Sequence, residues 1–235
     1  KAKELDIYKN TANILSSSLG SGETTLIKIT SAYGSFVNGG KKIKPTLIDL
    51  IQDRNGKSIY KNDKLFCLGC LDEFDLQNPP KIEDRYNRVF NEDVSYQMVN
   101  ILKGVVERGT GKKLKKLKLE LAGKTGTTNE NLDAWFIGFT PELLVGVYVG
   151  FDEPSTLGKK ETGSKAALPV FEDIMKKLKP NNYVPFFKPT ETVKFVKINA
   201  KSGKKSFSNK NTINESFKIN TIIDNYSSGK IMKEY

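Results

Sequence analysis

The residues with the clearest chemical potential lie in one short run, Gly123 to Thr128, which reads GKTGTT. A lysine placed among glycines and hydroxyl residues is typical of two different sites. It can end a loop that grips phosphate groups, or it can form the Lys-Thr-Gly edge strand of a serine acyl-transferase. The two interpretations require different residues before the run and different secondary structure after it, so the sequence can separate them.

A phosphate loop has the pattern G-x-x-x-x-G-K-[ST], in which the first glycine permits the tight turn that wraps backbone amides around the phosphates. Counted back from Gly123, the position of that first glycine is occupied by Lys118. A second candidate, Gly104 to Gly109, is followed by Thr110 instead of lysine. A helix must also follow the lysine directly, whereas the residues after Thr128 predict a turn and a strand. The sequence therefore disfavours a nucleotide site.

The strand-edge interpretation fits better. An acyl-D-alanine peptide or a β-lactam would lie antiparallel along the strand, and Gly126 would let it approach closely. Lys124 would place a positive charge near a catalytic serine and the substrate carboxylate. Thr127 would offer its hydroxyl to that carboxylate and its N–H to a developing oxyanion. The alternative is a strand end rich in glycine and threonine that has no chemical role.

Periodicity predicts the elements that position this run. Apolar residues at helical spacing predict helices over about 24–38, 94–107 and 167–178, the last one amphipathic. Three strands at about 119–127, 133–140 and 143–151 are joined by loops short enough for an antiparallel meander. Asn55-Gly56 predicts a type I′ hairpin, and residues 67–92 are expected to be irregular. The predicted fold class is α/β of the α+β type, an antiparallel sheet flanked by helices.

Composition limits the other functions. The formal net charge is +11, but the excess is mostly lysine spread along the chain, with only four arginines, so a nucleic-acid partner is not predicted. There is no histidine, which excludes a Ser-His or Cys-His arrangement and leaves the Cys67–Cys70 pair short of the ligands for a structural zinc site. That pair is a disulfide clip, a redox pair or two free thiols. No cofactor and no metal are expected. The longest apolar run has about nine residues, against about twenty for a membrane-spanning helix.

The chain resembles the bifunctional class A penicillin-binding proteins, and among them the 1A type. The resemblance covers the chain to about residue 200. It is carried by the segments SSLGSGETTLIKITSAYGSFVNGGKKIKPTLI, SYQMVNILKGVVERGTGKKL, LAGKTGTTNENLDAWFIGFTPELLVGVYVGFDEP and KAALPVFEDIMKK. It implies the C-terminal part of a penicillin-binding protein/β-lactamase-like transpeptidase fold, on the periplasmic side of a bacterial inner membrane.

The resemblance also implies roles for single residues. Lys124, Thr125 and Gly126 match the family's third active-site motif, with Lys124 and Thr127 catalytic and residues 124–128, including Thr128, in contact with substrate. Asp133 and Trp135 match a pattern taken as mainly structural. The implied partners are peptidoglycan stem peptides ending in D-Ala-D-Ala, β-lactams, and the N-terminal part of the same enzyme, which would carry the membrane anchor.

The family's nucleophile motif, S-x-x-K on a helix, and its second motif, S-x-N, lie upstream of the matched segments. Three S-x-x-K strings begin at Ser58, Ser202 and Ser227, but about two are expected by chance and none is on a predicted core helix. No S-x-N occurs. The chain begins with Lys1, so we expect a piece of a longer enzyme that is inactive alone. The alternatives are a non-catalytic cell-wall peptide-binding fragment and one half of a split enzyme.

The predicted organisation has three parts. Residues 1–180 form the C-terminal portion of the transpeptidase domain, residues 181–200 a short strand extension, and residues 201–235 a Lys/Asn/Ser-rich tail that is expected to be disordered. Without the upstream strands and nucleophile helix, apolar faces of the last three strands are expected to be uncovered. The isolated chain is therefore expected to be marginally stable and prone to aggregation.

Overall fold

A computed structural model describes residues 1–10, 14–62, 65–68, 70, 79–178, 186–207 and 211–223. Its α-helices are α1 (Leu26–Val37), α2 (Glu92–Glu107) and α3 (Ala167–Leu178). Its strands are β1 (Leu50–Gln52), β2 (Ser58–Lys61), β3 (Leu65–Leu68), β4 (Lys81–Asp84), β5 (Ala122–Thr127), β6 (Ala134–Phe139), β7 (Leu144–Val149), β8 (Val193–Asn199) and β9 (Thr212–Lys218). Short 3-10 helices span Leu15–Leu19, Lys112–Leu117 and Asn129–Asn131. The predicted fold class is confirmed.

The central element is a three-stranded antiparallel sheet in the order β5-β6-β7. Lys124 pairs with Ile137 and Thr125 pairs with Phe136, so successive side chains of β5 alternate between the two faces of the sheet. Short connections force neighbouring strands to run antiparallel, as the sequence predicted. The strand that carries the GKTGTT run is thus an edge strand of this sheet.

Each face of the sheet is covered by helix. On one face, α3 seats Phe171 against Phe136, with ring centroids 4.9 Å apart, in a core that also contains Leu114 and Leu117 of the lysine-rich 3-10 helix. On the other face, α1 and α2 pack around Phe139 and Val99. Phe136, Phe139 and Phe171 are completely buried. The expectation that these strand faces would be uncovered is therefore wrong, because α1, α2 and α3 cover them without help from upstream residues.

Several of the exposed apolar side chains lie close together in sequence, on the segment 47–60. Its exposed side chains are Leu47, Ile48, Leu50, Ile51, Ile59 and Tyr60. They belong to or flank the β1–β2 hairpin, whose strand residues are all exposed. A two-stranded hairpin with no covering layer is only marginally stable. The tendency of the isolated chain to aggregate stays a prediction.

Both hairpins of the region 50–84 differ in detail from the sequence prediction. At the β1–β2 turn only Gly56 has a positive φ, and Gly56 N donates to the Asp53 carbonyl at 3.0 Å, so the turn is not of type I′. Asp53 Oδ1 accepts the Asn55 and Lys57 N–H groups, which stabilises the other turn geometry. Within the region expected to be irregular, β3 pairs with β4. Cys67 and Cys70 form a disulfide at the end of β3.

The C-terminal region contains the largest correction. The tail was expected to be disordered from Lys201 onward, yet Thr212–Lys218 forms β9 and pairs antiparallel with β8 along its full length. This hairpin packs on α2, where Gln97 Nε2 donates to the Ser216 carbonyl at 3.0 Å and Asn100 Nδ2 donates to Glu215 at 2.6 Å. Those distant contacts order a segment that its composition marks as disordered. Residues 224–235 lie outside the described residues.

The described ranges contain neither a membrane-spanning helix nor a cluster of metal ligands. None of the described helices is long and apolar enough to cross a membrane. No group of three or more Cys, Asp or Glu side chains in the described part of the chain is arranged to hold a metal ion.

Candidate functional site

The candidate site is the free edge of β5. Alternation along the strand divides its predicted residues between two faces. Lys124 lies on the α1/α2 face, opposite Ile137, whereas Thr125 and Thr127 lie on the α3 face with Phe136 and Ala134. Gly126 is on the Lys124 side, opposite Trp135. A ligand lying along this edge would therefore meet the lysine from one side and the two hydroxyls from the other.

The Lys124 side chain is exposed. Its ammonium donates one hydrogen bond, 2.8 Å long, to the carbonyl oxygen of Thr125 in the same strand. No ion pair to Lys124 is found among the described carboxylates. The positive charge is thus left without a counter-ion in this part of the protein and is available to an anionic group.

Thr125 has a partner that the sequence analysis missed. Its Oγ1 lies 3.1 Å from Oγ1 of Thr110, in the turn that follows α2. The hydrogen bond joins residues 15 positions apart. The Arg108-to-Lys112 turn is held against α2 by Gly109 and Gly111, whose N–H groups donate to the Val105 carbonyl. The turn after α2 therefore presents a second hydroxyl at the rim of the β5 edge.

Thr127 is held by a loop that follows β7. Its Oγ1 accepts a 3.0 Å hydrogen bond from the N–H of Gly163. A Cβ atom on Gly163 would lie 2.4 Å from the carbonyl oxygens of both Gly126 and Trp135, so only glycine fits so close to the sheet. Nothing local in the sequence signals this contact, since the two bonded residues are 36 positions apart.

Gly126 has a structural requirement of its own. A Cβ at this position would lie 3.1 Å from Cβ of Trp135 on the neighbouring strand. The absence of a side chain thus serves the pairing of β5 with β6, and it also leaves the edge open to a ligand.

Thr128 closes the loop between β5 and β6. Its hydroxyl accepts the Asp133 N–H at 2.8 Å, and its own N–H donates to the Asp133 carbonyl at 3.2 Å. Glu130 and Asn131 inside this loop have positive φ angles of 59° and 54°. The Thr128 hydroxyl oxygen therefore already accepts one hydrogen bond from within the loop. The contact of Thr128 with substrate stays a prediction.

Asp133 and Trp135 lie behind the edge in a small cluster with Tyr148 of β7. Asp133 Oδ1 accepts a 2.8 Å hydrogen bond from the Tyr148 hydroxyl, and the rings of Trp135 and Tyr148 have centroids 4.7 Å apart. Because the bond favours the protonated phenol, Asp133 raises the pKa of Tyr148. The positions of Asp133 and Trp135 agree with the structural role that the resemblance implied.

The chain after β7 wraps around the same end of the sheet. Leu157 N donates to the Asn131 carbonyl at 2.9 Å, and Thr156 Oγ1 donates to the Glu130 carbonyl at 2.9 Å. Together with the Gly163–Thr127 bond, these contacts fasten the 156–163 segment to the end of β5 and to the middle of the β5–β6 loop. The rim of the site is therefore built from the turn after α2, the β5–β6 loop and the segment after β7.

The S-x-x-K strings do not enter this site. Ser58 and Lys61 lie on the exposed strand β2, where positions three apart point to opposite faces. Ser202 lies in the turn between β8 and β9. Ser227 lies outside the described residues. In the described part of the chain, no S-x-x-K serine lies on one of the three α-helices. The edge thus offers a cation, hydroxyls and strand backbone, which can bind and orient a carboxylate-bearing peptide without supplying a nucleophile.

Comparisons with known proteins agree with this geometry. The family profile described as "Penicillin binding protein transpeptidase domain" matches residues 2–176. Penicillin-binding protein 1A of Rickettsia prowazekii is 43% identical over 226 residues, which cover 94% of this chain and 28% of that protein. The crystal structure of penicillin-binding protein 1A from Haemophilus influenzae superposes with a TM-score of 0.76 at 25% identity, covering 93% of this chain and 36% of that one. The resemblance inferred from the motifs is confirmed.

A third comparison concerns fold alone. The PonA1 protein of Mycobacterium tuberculosis, in a structure described as a complex with penicillin V, superposes with a TM-score of 0.57 at 22% identity and covers 81% of this chain. The chain spans about 28% of the length of its curated relative from Rickettsia.

Proposed function

Because this chain belongs to the transpeptidase-domain family of penicillin-binding proteins, we propose that it forms the Lys-Thr-Gly wall of a DD-transpeptidase active site. In that enzyme a serine attacks the carbonyl carbon of the penultimate D-Ala, the terminal amide bond breaks, and the last D-Ala leaves as a free amino acid. An amine of a second stem peptide then attacks the serine ester, forms the new amide bond and restores the serine hydroxyl. Residues 1–180 are the C-terminal portion of the domain. The nucleophilic serine, its lysine base and the S-x-N motif come from outside residues 1–235.

The observation that carries this proposal is the division of the β5 edge into a cationic side and a hydroxyl side. Lys124 faces one side without a carboxylate partner among the described residues. Thr125 and Thr127 face the other. A peptide added antiparallel to β5 would receive main-chain hydrogen bonds from the strand, and its terminal carboxylate would lie between these groups.

Each residue has a distinct task in this mechanism. Lys124 stabilises negative charge near the attacking serine and on the substrate carboxylate, where a fixed cation acts most strongly once water is excluded. Gly126 leaves room for the substrate backbone. Thr127 binds the carboxylate through its hydroxyl and offers its N–H to the oxyanion of the tetrahedral intermediate. The reaction needs no cofactor, since serine acyl transfer uses only side chains and backbone. The whole enzyme acts on the periplasmic side of the inner membrane.

The test is acylation of the whole enzyme by a fluorescent penicillin, followed by gel and intact mass. We expect a stoichiometric adduct on a serine outside residues 1–235. Lys124→Ala should lower the acylation rate by about 10²-fold, the usual effect of removing one group that stabilises developing negative charge in the active site. Lys113→Ala, which removes an exposed lysine of the 3-10 helix, should leave the rate unchanged. Equal rates for Lys124→Ala and wild type would contradict the proposal.

A further inference from the structure

The contact that the proposed function leaves unexplained is the hydrogen bond from Gly163 to Thr127. Gly163 belongs to the segment between β7 and α3, and no motif identified in the sequence includes it. Three observations converge on it. Its N–H donates to Thr127 Oγ1 at 3.0 Å, its Cα lies against the paired backbone of Gly126 and Trp135, and its carbonyl accepts the Leu168 N–H of α3 at 2.9 Å.

These contacts fix Gly163 from both sides. The bond from Leu168 ties it to the first turn of α3, and Leu168 is completely buried. The two residues on either side of Gly163 are also bonded to each other, because the hydroxyl oxygens of Thr162 and Ser164 lie 2.9 Å apart. The Thr162 carbonyl accepts the N–H groups of Lys165 and Ala166, which tightens the turn into the helix. The Gly163 N–H is therefore held by the core of the protein and aimed at Thr127.

The consequence concerns the proton of the Thr127 hydroxyl. A threonine hydroxyl has one proton to donate and two lone pairs that can accept. Because the Gly163 N–H can only donate, Thr127 Oγ1 must act as its acceptor, and the hydroxyl proton turns toward another partner. An anionic acceptor then receives a charge-assisted hydrogen bond, which is stronger than a bond between neutral groups.

We propose that Gly163 is a positioning residue that holds Thr127 as a hydrogen-bond donor toward the terminal carboxylate of the substrate. The inference rests on the proposed function of the β5 edge and adds a specificity element to it. Gly163 does not itself touch the substrate. Its effect is to favour ligands that carry a carboxylate over ligands in which that group is neutral.

The test uses the whole enzyme and two probes, benzylpenicillin and its methyl ester, with the second-order acylation rate constants measured by intact mass. The ratio of the two rate constants reports recognition of the carboxylate, and a loss of fold lowers both rates together. Thr127→Val removes the hydroxyl at nearly constant shape and should lower the ratio about tenfold or more, the usual effect of losing a hydrogen bond to a charged group. Gly163→Ala should lower the ratio about tenfold through the same hydroxyl. The double variant should show little further loss, because the two residues act as one unit.

Gly146→Ala is the matched control. A Cβ at Gly146 would lie 2.1 Å from Thr30 Oγ1, so this variant is crowded in the same way, but against α1 and away from the β5 edge. It should lower the Tm and leave the ratio unchanged. If Gly163→Ala does not fold, Ser164→Ala takes its place. This variant removes the Thr162–Ser164 hydrogen bond without adding an atom near Gly163. It should also lower the ratio of the two rate constants.

The outcomes separate the two claims. A ratio that stays at the wild-type value in Gly163→Ala, or in Ser164→Ala where that variant is used, would overturn the inference while leaving the proposed function intact. Full additivity of Thr127→Val and Gly163→Ala would also overturn it. A wild-type enzyme that neither penicillin acylates would refute the proposed function, and the inference would fall with it.

Discussion

The hydroxyl of Tyr148 donates a 2.8 Å hydrogen bond to Oδ1 of Asp133, and this bond joins the outer strand of the sheet to the loop behind the K-T-G strand. Tyr148 also packs on Trp135, which pairs with Gly126. A Cβ at Gly150 would lie 2.2 Å from the Tyr148 hydroxyl oxygen, so the backbone of this turn is fitted closely around the bond. The strand that carries Lys124 is thus supported by a polar contact two strands away.

The first prediction is that Tyr148→Phe destabilises the protein by about 1 kcal/mol, because it removes one hydrogen bond and keeps the ring contact. The bond raises the pKa of Tyr148 above its ordinary value of 10.0. A raised pKa means that this stabilisation is fully present below pH 10 and is lost as the pH rises through the pKa of the folded state.

Urea unfolding of the 235-residue chain measures this effect. The difference in unfolding free energy between wild type and Tyr148→Phe should be constant between pH 7 and about pH 9 and should shrink above pH 10. A difference that grows with pH would show that the Tyr148–Asp133 bond has been misassigned.

The second prediction concerns Glu172 of α3, which is buried and paired with Lys116 at 2.9 Å and Lys176 at 2.5 Å. The hydrogen bonds from Lys176 and then Lys116 lower the pKa of the Glu172 carboxyl below its ordinary value of 4.5. The pair with Lys116 ties α3 to the 3-10 helix beside β5. Glu172→Gln should therefore cost about 1–3 kcal/mol at neutral pH.

The sign of the pH dependence follows from the lowered pKa. The contribution of Glu172 is fully present above the unfolded pKa and is lost as the pH falls below about 4.5 toward the folded value. Asp173→Asn is the matched control, because Asp173 is exposed and its ion pair within the described ranges is with Lys176 at 3.0 Å. At pH 7, thermal melts should show a clear drop in Tm for Glu172→Gln and almost none for Asp173→Asn. A larger drop for Asp173→Asn than for Glu172→Gln would contradict the stabilising role of the Glu172 ion pairs.

The third prediction tests the core under the K-T-G strand. Phe171 is completely buried against Phe136, and Gly138 leaves the space that its ring occupies. Phe171→Ala should destabilise the chain by about 3–5 kcal/mol, through lost burial and the cavity that remains. Val170, its neighbour on α3, is largely exposed, so Val170→Ala should change stability by less than about 0.5 kcal/mol. Chemical denaturation that found similar losses for the two variants would mean that α3 does not pack as described.

The parts of the fold that were predictable from sequence are those with strong local signals. The strands β5, β6 and β7 have short loops and an alternation that leaves Ala134 and Phe136 on one face and Ile137 and Phe139 on the other. Helix α3 has a clear amphipathic pattern and was predicted to its observed ends. Local pattern and tertiary packing agree in these elements, which is why the prediction succeeded.

The parts that failed depend on distant contacts. β9 has few apolar residues, and its buried position is Ser216, so no hydrophobic alternation marks it as a strand. Pairing with β8 and the contacts of Gln97 and Asn100 order it. The candidate site likewise contains residues with a local sequence signal and residues that only distant contacts bring there. Lys124 to Thr128 were predicted as site residues from the GKTGTT run and the family resemblance, and their roles stay predictions. Thr110 and Gly163 lie beside them through hydrogen bonds across 15 and 36 positions, which only the folded chain reveals.

The central claim is that this chain carries a binding wall of a serine transpeptidase and not its nucleophile. Incubation of the folded 235-residue chain with fluorescent penicillin, followed by intact mass, tests it most directly. We expect no covalent adduct from the chain alone, although the whole enzyme is labelled. A stoichiometric adduct on Ser58, Ser202, Ser227 or any other serine of these 235 residues would show that the chain carries its own nucleophile and would identify that serine.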